Sequence, residues 1–291
     1  MALDEIDHIP NVQETPLDPA AEAAKEPEKP DYVAMTAASG VAPLEMRFSQ
    51  INSCYRRLPI AYRSYTYINS VLEGVLPPEK YAFAADETER GIRLAKWNIR
   101  EAIRAIRRFE EAGRNIEFVS VRCPARLALE QDLFAWMQQV LKDNAFDQPE
   151  KLCLEFPQSL LYEDAERVRA SILSMKLLKV RTMMSGCGEK DCPVTLLMNL
   201  PLDYVVLAPW ITVRTDSREQ GAAVTALLSF LRAIPIDVIA DGAASDEQIR
   251  MLSRADCWGY IPSSGYTGTV QHGRLRMTLE DALAQKEEEE L

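Results

Sequence analysis

The segment MSGCGEKDCPVTLLMNLPLDYVVLAP, residues 184–209, decides the fold of this chain. It ends in the apolar run YVVLA, which has the length and composition of a strand buried on both faces. Similar runs stand on either side of it, namely IEFVSV (116–121), KLCLEF (151–156), VRTMM (180–184), IDVIA (236–240) and CWGY (257–260). Segments with a helical spacing of apolar residues separate these runs, and this alternation predicts a parallel sheet covered by helices.

A β-hairpin is predicted ahead of these strands, with arms at residues 46–53 and 58–67 joined by CYRR. When its two arms are counted, about eight strands fall within about 230 residues, which suits a closed barrel better than an open sheet. The sequence therefore predicts an α/β fold, a TIM-type (β/α)8 barrel over residues 44–278. The first long helix is predicted over residues 86–113, where Asp86 and Glu89 form a capping-box pattern.

The two ends of the chain differ from this barrel in composition. Residues 1–43 are rich in Pro, Glu and Ala and lack an apolar period, which predicts a disordered leader. Residues 279–291 are predicted to be a solvated acidic tail that frays from a short helix at 279–284.

The composition excludes several classes of protein. With 44 acidic against 33 basic residues, the net charge is -11, which disfavours nucleic acid as a partner because phosphate contacts need clustered Lys and Arg. No stretch approaches the roughly 18 apolar residues of a membrane-spanning helix. The acidic start MALDEIDHIP is unlike a signal peptide. The chain is therefore predicted to be cytoplasmic, without nucleic-acid or membrane partners.

The six cysteines are expected to be reduced in that compartment. Cys187 and Cys192 form a C-x4-C pair, which invites a metal interpretation. The chain has only two histidines, however, and no second tight cysteine pair, whereas a structural zinc site needs four ligands. We interpret the pair as loop thiols, with metal binding as the less favoured interpretation, and we expect no cofactor.

Four stretches resemble, in order and spacing, the EAL-type domain of cyclic-di-GMP phosphodiesterases: LCLEFPQS (152–159), MSGCGEKDCPVTLLMNLPLDY (184–204), IADGAASDEQ (239–248) and CWGYIP (257–262). Leu200, Pro201, Asp203 and Tyr204 match the family's Leu-Pro-x-Asp-Tyr strand. VSVRCPAR (119–126) is similar to its Ser-Val-Asn-Leu-Ser-Ala-Arg strand. The resemblance implies an EAL-like barrel, whose mouth in such phosphodiesterases holds two divalent cations that promote phosphodiester hydrolysis.

The side chains that this chemistry requires are mostly replaced. By the resemblance, the family's functional positions correspond here to Tyr62 or a neighbour, Arg122, Ser185, Gly186, Val206, Ala208, Ala244 and Trp258. No glutamate lies between residues 47 and 72, so the glutamate of the Glu-Ala-Leu motif is missing under any local alignment. Glu155 and Asp241 keep a carboxylate, but two isolated carboxylates do not hold two metals. The resemblance therefore implies a degenerate, catalytically inactive domain.

Three functions fit such a barrel. The first is a non-catalytic regulatory or protein-interaction module in bacterial signalling, with an unidentified protein partner and, by resemblance, a homodimeric state. The second is a receptor that binds cyclic-di-GMP without hydrolysis. The third and most remote is a divergent phosphodiesterase.

The receptor hypothesis has named candidate residues. Its candidate ligand-binding residues are Arg122, Trp258, Glu155 and Asp241, with Arg63, Tyr62 and Tyr65 as further arginine and aromatic groups. Against it, the family's substrate-contacting arginine corresponds to Thr66 or a residue near it. The simpler interpretation is that Glu155 and Asp241 are hydrogen-bonding groups at strand ends, paired with Arg122.

Overall fold

The computed structural model describes residues 42–71, 73–189, 192–214, 218–264 and 276–289. The predicted disordered leader lies outside these residues except for its last two positions. No helix in the described ranges is long and apolar enough to cross a membrane.

Eight strands close into a barrel. The strands of the described chain are β1 (Leu44–Ser53), β2 (Pro59–Ser70), β3 (Gly74–Leu76), β4 (Val119–Arg122), β5 (Leu152–Pro157), β6 (Arg181–Cys187), β7 (Tyr204–Leu207), β8 (Asp237–Ala243) and β9 (Gly259–Pro262). From β2 through β4 to β9, each strand runs parallel to the next. β1 is antiparallel to both β2 and β9 and closes the barrel between them, while β3 is a short edge strand on β2. The predicted hairpin and barrel are confirmed.

Helices connect the strands on the outside of the barrel. They are α1 (Pro78–Asp86), α2 (Glu89–Glu111), α3 (Ala125–Ala128), α4 (Leu133–Asp143), α5 (Ala165–Leu177), α6 (Pro209–Val213), α7 (Arg218–Ala233), α8 (Asp246–Arg254) and α9 (Leu279–Glu289). Short 3-10 helices lie at Pro149–Lys151, Gln158–Tyr162 and Val194–Asn199. The regular spacing of Ile92, Ile99, Ile103 and Ile106 places these side chains on the buried face of α2, as predicted.

Two helix boundaries differ from the prediction. The long helix begins at Glu89, because the side chain of Thr88 accepts a hydrogen bond from the Gly91 N–H at 3.0 Å and acts as the N-cap. Asp86 is the last residue of α1, so the Asp86 and Glu89 capping box is wrong. At the other end, α9 continues past the predicted 279–284, and Ala282 is fully buried against the barrel.

The side chains of the strands alternate between the barrel interior and the helix layer. The interior is filled by Ile51, Ala61, Phe118, Cys153, Met183, Tyr204, Val206, Ile239 and Ile261. We call the amino ends of the parallel strands the floor and their carboxyl ends the mouth. At the floor, the rings of Phe118, Tyr204 and Trp258 pack with centroid distances of 4.8 to 5.8 Å. This aromatic layer closes the barrel at the floor, so a ligand can approach the strand ends only at the mouth.

Candidate functional site

Arg63 occupies the centre of the mouth. Its Nε donates a hydrogen bond to Glu155 Oε2 at 2.9 Å, its Nη2 donates to Glu155 Oε1, and its Nη1 donates to Asp241 Oδ2 at 3.0 Å. The two carboxylates that the sequence retains are thus bridged by one guanidinium. Glu155 is buried, with 4% of its surface exposed, whereas the Asp241 side chain keeps 23%.

The strand pairing explains why these three side chains meet. On β2, the alternation that turns Ala61 into the barrel also turns Arg63 inward. Glu155 stands on β5 and Asp241 on β8, both near the carboxyl ends of their strands. Ser120, which pairs with Arg63 in the sheet, adds a hydrogen bond from its hydroxyl to Glu155 Oε2 at 3.3 Å. The mouth is therefore spanned by interactions between strands that are far apart in sequence.

The two carboxylates respond differently to the same arginine. Burial alone would raise the pKa of Glu155, but the charge and hydrogen bonds of Arg63 outweigh it and hold that pKa below its usual value. For Asp241, burial is the largest effect and the nearby Glu155 charge adds to it, so its pKa is raised despite Arg63. Glu155 accepts two bonds from the guanidinium and Asp241 accepts one. Arg63 is thus primarily the partner of Glu155.

Arg122, predicted to pair with Glu155 and Asp241, has another partner. Although it pairs with Glu155 in the β4–β5 ladder, its guanidinium forms an ion pair with Asp86 at the end of α1. The predicted Arg122 pairing is therefore wrong, and Arg63 takes that role. Arg122 remains at the mouth, 37% exposed, and it lines the cleft described below.

Two aromatic positions singled out from the sequence lie away from the mouth. Tyr62 points into the helix layer, stacked on Phe109 with ring centroids 4.6 Å apart, and its hydroxyl accepts a hydrogen bond from Arg114. Trp258 precedes β9 and belongs to the aromatic layer of the floor. The expectation that Tyr62 or Trp258 joins Arg122 in contacting a ligand does not fit these positions.

The remaining predicted positions divide into two groups. Ser185, Gly186, Val206 and Ala208 line the mouth, as expected for the family's functional positions. Ala244 lies just beyond β8, where its backbone N–H donates to Gln248 Oε1 at 2.7 Å, and it is absent from the residues lining the cleft.

The mouth opens into a cleft with two lobes that share Arg63, Asp86, Arg122, Pro209 and Asp241. The hairpin lobe, about 510 Å³, lies against β2, α1 and α2 and is lined among others by Tyr65, Thr66, Tyr81, Asn98 and Arg276. The β6 lobe, about 430 Å³, lies over Ser185, Gly186, Val206 and Ala208. Both volumes fall within the range of small-molecule sites.

The hairpin lobe combines cations with an aromatic ring. Tyr65 lies between two guanidinium groups, with its ring centroid 5.4 Å from the Arg63 Cζ and 4.5 Å from the Arg276 Cζ. Burial raises the pKa of Tyr65 to about 12, so its hydroxyl keeps its proton and is available as a donor. Such a surface suits a phosphate next to a flat heterocycle.

Sequence reasoning missed Arg276, and it named Arg63 only as a further arginine of the receptor hypothesis, not as the partner of Glu155 and Asp241. Arg276 follows the last predicted strand and carries no motif, so its place in the hairpin lobe comes from the return of the chain at Met277, which pairs with Phe48. Arg63 was recognisable in principle. If Ala61 faces the interior, then so does the residue two positions later, and that residue is Arg63 rather than Tyr62.

A profile of the EAL domain family matches residues 42–260. The chain belongs to the EAL domain family. An uncharacterized signaling protein of Caulobacter vibrioides is 26% identical over 188 residues, which is 63% of this chain and 22% of that protein. Cyclic di-GMP phosphodiesterase PdeR of Escherichia coli is 24% identical over 183 residues, which is 62% of this chain and 27% of the relative. The chain spans about a quarter of the length of these curated relatives.

Solved EAL structures share the fold. The EAL enzyme Bd1971 with cAMP and cyclic-di-GMP superposes with a TM-score of 0.74 at 13% identity, covering 87% of this chain and 67% of that one. The PaMucR phosphodiesterase in complex with c-di-GMP superposes with a TM-score of 0.73 at 17% sequence identity, covering 86% of this chain and 98% of that one. The FimX EAL domain from Pseudomonas aeruginosa bound to c-di-GMP superposes with a TM-score of 0.68 at 15% sequence identity, covering 80% of this chain and 94% of that one. The predicted EAL-like barrel is confirmed by these matches.

Proposed function

We propose that this EAL domain is a non-catalytic regulatory or protein-interaction module of bacterial signalling. The observation that carries the proposal is the position of Arg63, whose guanidinium hydrogen-bonds to both Glu155 and Asp241. Carboxylate oxygens are the donors that a hard divalent cation needs. Here they already neutralise a fixed positive charge. A guanidinium does not generate hydroxide from water as a pair of metal ions does.

The donor set at the mouth does not fit two divalent cations. Two-metal hydrolysis needs several carboxylates arranged around both ions. Within the part of the chain that the structure describes, no group of three or more His, Cys, Asp or Glu side chains is placed to hold a metal. Ser185, Gly186, Val206 and Ala208, which line the β6 lobe, offer no carboxylate.

The proposal is tested by incubating the purified chain with cyclic-di-GMP and either Mg²⁺ or Mn²⁺, and separating the linear dinucleotide product by chromatography. We expect no product above the protein-free control. Metal-dependent product that disappears in Glu155→Gln would overturn the proposal, because it would assign a catalytic role to a carboxylate that we place in an ion pair. An active EAL phosphodiesterase assayed in parallel serves as the positive control.

A second candidate function is a receptor that binds cyclic-di-GMP without hydrolysing it. The hairpin lobe favours it, because Tyr65, Arg122 and Arg276 present an aromatic ring and guanidinium groups to one cavity. Two EAL structures with the same fold, the PaMucR phosphodiesterase and the FimX EAL domain, contain bound c-di-GMP. Neither feature requires the metal-binding carboxylates, so this candidate is compatible with the absence of catalysis.

Calorimetric titration of cyclic-di-GMP into the full chain, with and without Mg²⁺, separates the two candidates. Saturable binding that weakens about tenfold or more in Arg122→Ala would support the receptor, since losing a charge-assisted hydrogen bond costs about 1.5–3 kcal/mol. Trp258→Phe at the floor is the matched control and is expected to leave the affinity unchanged. No heat at millimolar ligand would exclude the receptor and leave the protein-interaction module.

Three further expectations from the sequence stay predictions: an unidentified protein partner, a homodimeric state and a cytoplasmic location. Light scattering on the purified full chain checks the second of these directly. A mass equal to one chain, about 33 kDa, across a concentration series would contradict the homodimer.

A further inference from the structure

The chain contains two pairs of cysteine thiols in hydrogen-bond contact. Cys54 on the hairpin turn contacts Cys257 just before β9. Cys187 at the end of β6 contacts Cys192 in the following loop. The two pairs differ in access to solvent, because Cys54, Cys257 and Cys187 are buried whereas Cys192 is partly exposed. The loop pair therefore combines one accessible sulfur with a buried neighbour.

Backbone contacts hold the loop pair in place. The Cys187 carbonyl accepts a hydrogen bond from the Ala208 N–H at 3.0 Å, which ties it to the end of β7. The Glu189 N–H donates to the Gly186 carbonyl at 2.9 Å, and the Cys192 N–H donates to the Glu189 carbonyl at 3.0 Å. These successive turns return the chain so that the sulfur of Cys192 faces that of Cys187.

Gly188 makes this turn possible. Its φ is +85°, a left-handed conformation that residues with a Cβ rarely adopt, and a Cβ at this position would lie 2.1 Å from Ile211 Cδ1. The turn is thus set by a close approach to α6. The Gly188 N–H also donates a hydrogen bond to the Cys192 sulfur. The contact between the two thiols is a consequence of this fixed geometry.

Cys192 also has the reactivity expected of an attacking thiol. The hydrogen bond from Cys187, joined by the one from the Gly188 N–H, lowers the pKa of Cys192 to about 6. This lowering favours the thiolate of Cys192, which is the reactive form. Burial raises the pKa of Cys123 and Cys153, which favours their unreactive thiol forms.

We propose that Cys187 and Cys192 are an oxidation site, at which peroxide forms a reversible disulfide within the loop between β6 and β7. The Cys192 thiolate attacks one peroxide oxygen, the O–O bond breaks, and the leaving hydroxide takes a proton to become water. The resulting sulfenic acid is attacked by the Cys187 sulfur, which loses its proton as the S–O bond breaks and a second water leaves. Two thiols are oxidised and one peroxide is reduced to two waters.

This site does not rest on the proposed function, but it adjoins the cleft. Gly186 and Glu189, which lie beside the two cysteines in the loop, line the β6 lobe. A disulfide would therefore lock one wall of that lobe. A small thiol such as dithiothreitol would restore both cysteines by exchange.

The test treats the full chain with a small excess of hydrogen peroxide at neutral pH and alkylates the remaining thiols after unfolding. Trypsin cuts after Lys190, which lies between the two cysteines in the sequence. The disulfide would therefore appear in mass spectrometry as two tryptic peptides joined to each other. We expect loss of two of the six free thiols, recovery of this linked pair, and its disappearance after dithiothreitol.

Variants separate this disulfide from general oxidation. Cys192→Ser is expected to abolish the loss of thiols, whereas Cys257→Ser, which removes the buried pair, is expected to leave the linked peptides unchanged. In Cys187→Ala, alkylation of Cys192 should need a higher pH, because the hydrogen bond that stabilises its thiolate is lost. Linked peptides joining Cys54 to Cys257, linkage between chains, or all six cysteines remaining free would each overturn the proposal. The peptide map of the unaltered chain decides this even if a variant fails to fold.

Discussion

The mouth and the floor of this barrel are each spanned by an arginine, but the two arginines have different partners. At the mouth, Arg63 is held by the carboxylates of Glu155 and Asp241. At the floor, the Arg181 guanidinium lies over the faces of Phe118 and Tyr204, 5.6 and 6.0 Å from their ring centroids. The mouth is closed by a largely buried set of paired charges. The floor is closed by apolar volume, and Arg181 at its edge also forms a more exposed ion pair with Glu117 at 3.3 Å.

This difference determines how each end tolerates change. At the floor, the aromatic side chains are stabilised by packing against one another. Truncating one of them leaves a cavity, and the resulting loss of unfolding free energy does not depend on pH. At the mouth, each charge is acceptable only because the opposite charge is present, and removing one leaves the other uncompensated. Packing therefore stabilises the floor, whereas ion pairing stabilises the mouth. The following substitutions distinguish these two contributions.

The largest effect is expected for Phe118→Ala. Phe118 is fully buried at the centre of the floor, and truncating a buried phenylalanine costs about 3–5 kcal/mol of unfolding free energy. Urea unfolding followed by circular dichroism measures this loss. The loss should be the same at neutral and mildly acidic pH, and a strong pH dependence would contradict the description of the floor as packing.

Arg63→Met is expected to cost about 2–3 kcal/mol at neutral pH, somewhat less than a fully buried pair because Asp241 keeps contact with solvent. The loss should shrink as the pH falls, since the two carboxylates then take up protons and no longer repel each other. Arg122→Met, which breaks the more exposed pair with Asp86, is the matched control and is expected to cost less than about 1 kcal/mol. Equal losses for the two variants would contradict the central role of Arg63.

The two carboxylates are expected to differ in the same experiment. Because the pKa of Glu155 is lowered from its ordinary 4.5, its ionised form stabilises the fold above that pH, and this contribution is lost as the pH falls through the lowered value. Glu155→Gln should therefore cost about 1–3 kcal/mol near neutral pH and progressively less in acid.

The stability contributed by Asp241 is expected to change with pH in the opposite direction. Its pKa is raised from 3.8, so protonation favours the folded state, and that contribution is lost as the pH rises through the raised value. Asp241→Asn imitates the protonated carboxyl and should cost less than Glu155→Gln at neutral pH. Unfolding curves of both variants across the acidic range check this order. A larger loss for Asp241→Asn would contradict the conclusion that Arg63 is primarily the partner of Glu155.

The smallest effect is expected for Arg181→Met. Its cation–π contacts with Phe118 and Tyr204 contribute about 0.5–1 kcal/mol at a partly exposed site. Its ion pair with the exposed Glu117 and its hydrogen bond to the Tyr204 hydroxyl add little because solvent screens them, and methionine retains much of the side chain's apolar contact. A loss as large as that of Arg63→Met would remove the contrast between the two ends.

The strands and helices of this barrel were predictable because their apolar periods are strong and local. The first hairpin shows the limit of such reasoning. A shift of one residue on a strand moves a side chain to the other face, and that single step separates Tyr62 in the helix layer from Arg63 at the mouth. The capping-box prediction was wrong for a similar reason. Asp86 and Thr88 are both suitable N-cap residues, and Asp86 is excluded only because it is the last residue of α1.

The partners within the site were not predictable from local patterns. Arg63 lies 92 positions from Glu155 and 178 from Asp241 in the sequence. Arg122 was an equally reasonable partner until α1 brought Asp86 beside it. Trp258 was placed by its match to a motif, whereas its depth in the barrel depends on where β9 begins. Charge pairing across a barrel depends on the closed structure, which no single segment contains.

Closure by β1 has a consequence for how the chain is made. β1 is synthesised before every other strand of the barrel, yet its residues Asn52 and Ser53 pair with Tyr260 and Gly259 on the last strand. About 200 residues must therefore be synthesised before the barrel can shut, and contacts of this separation form slowly. Until then β1 and β8 each present an unpaired edge, which is a template for association with other chains. A nascent chain that stalls before β9 therefore exposes two strand edges that the finished barrel pairs.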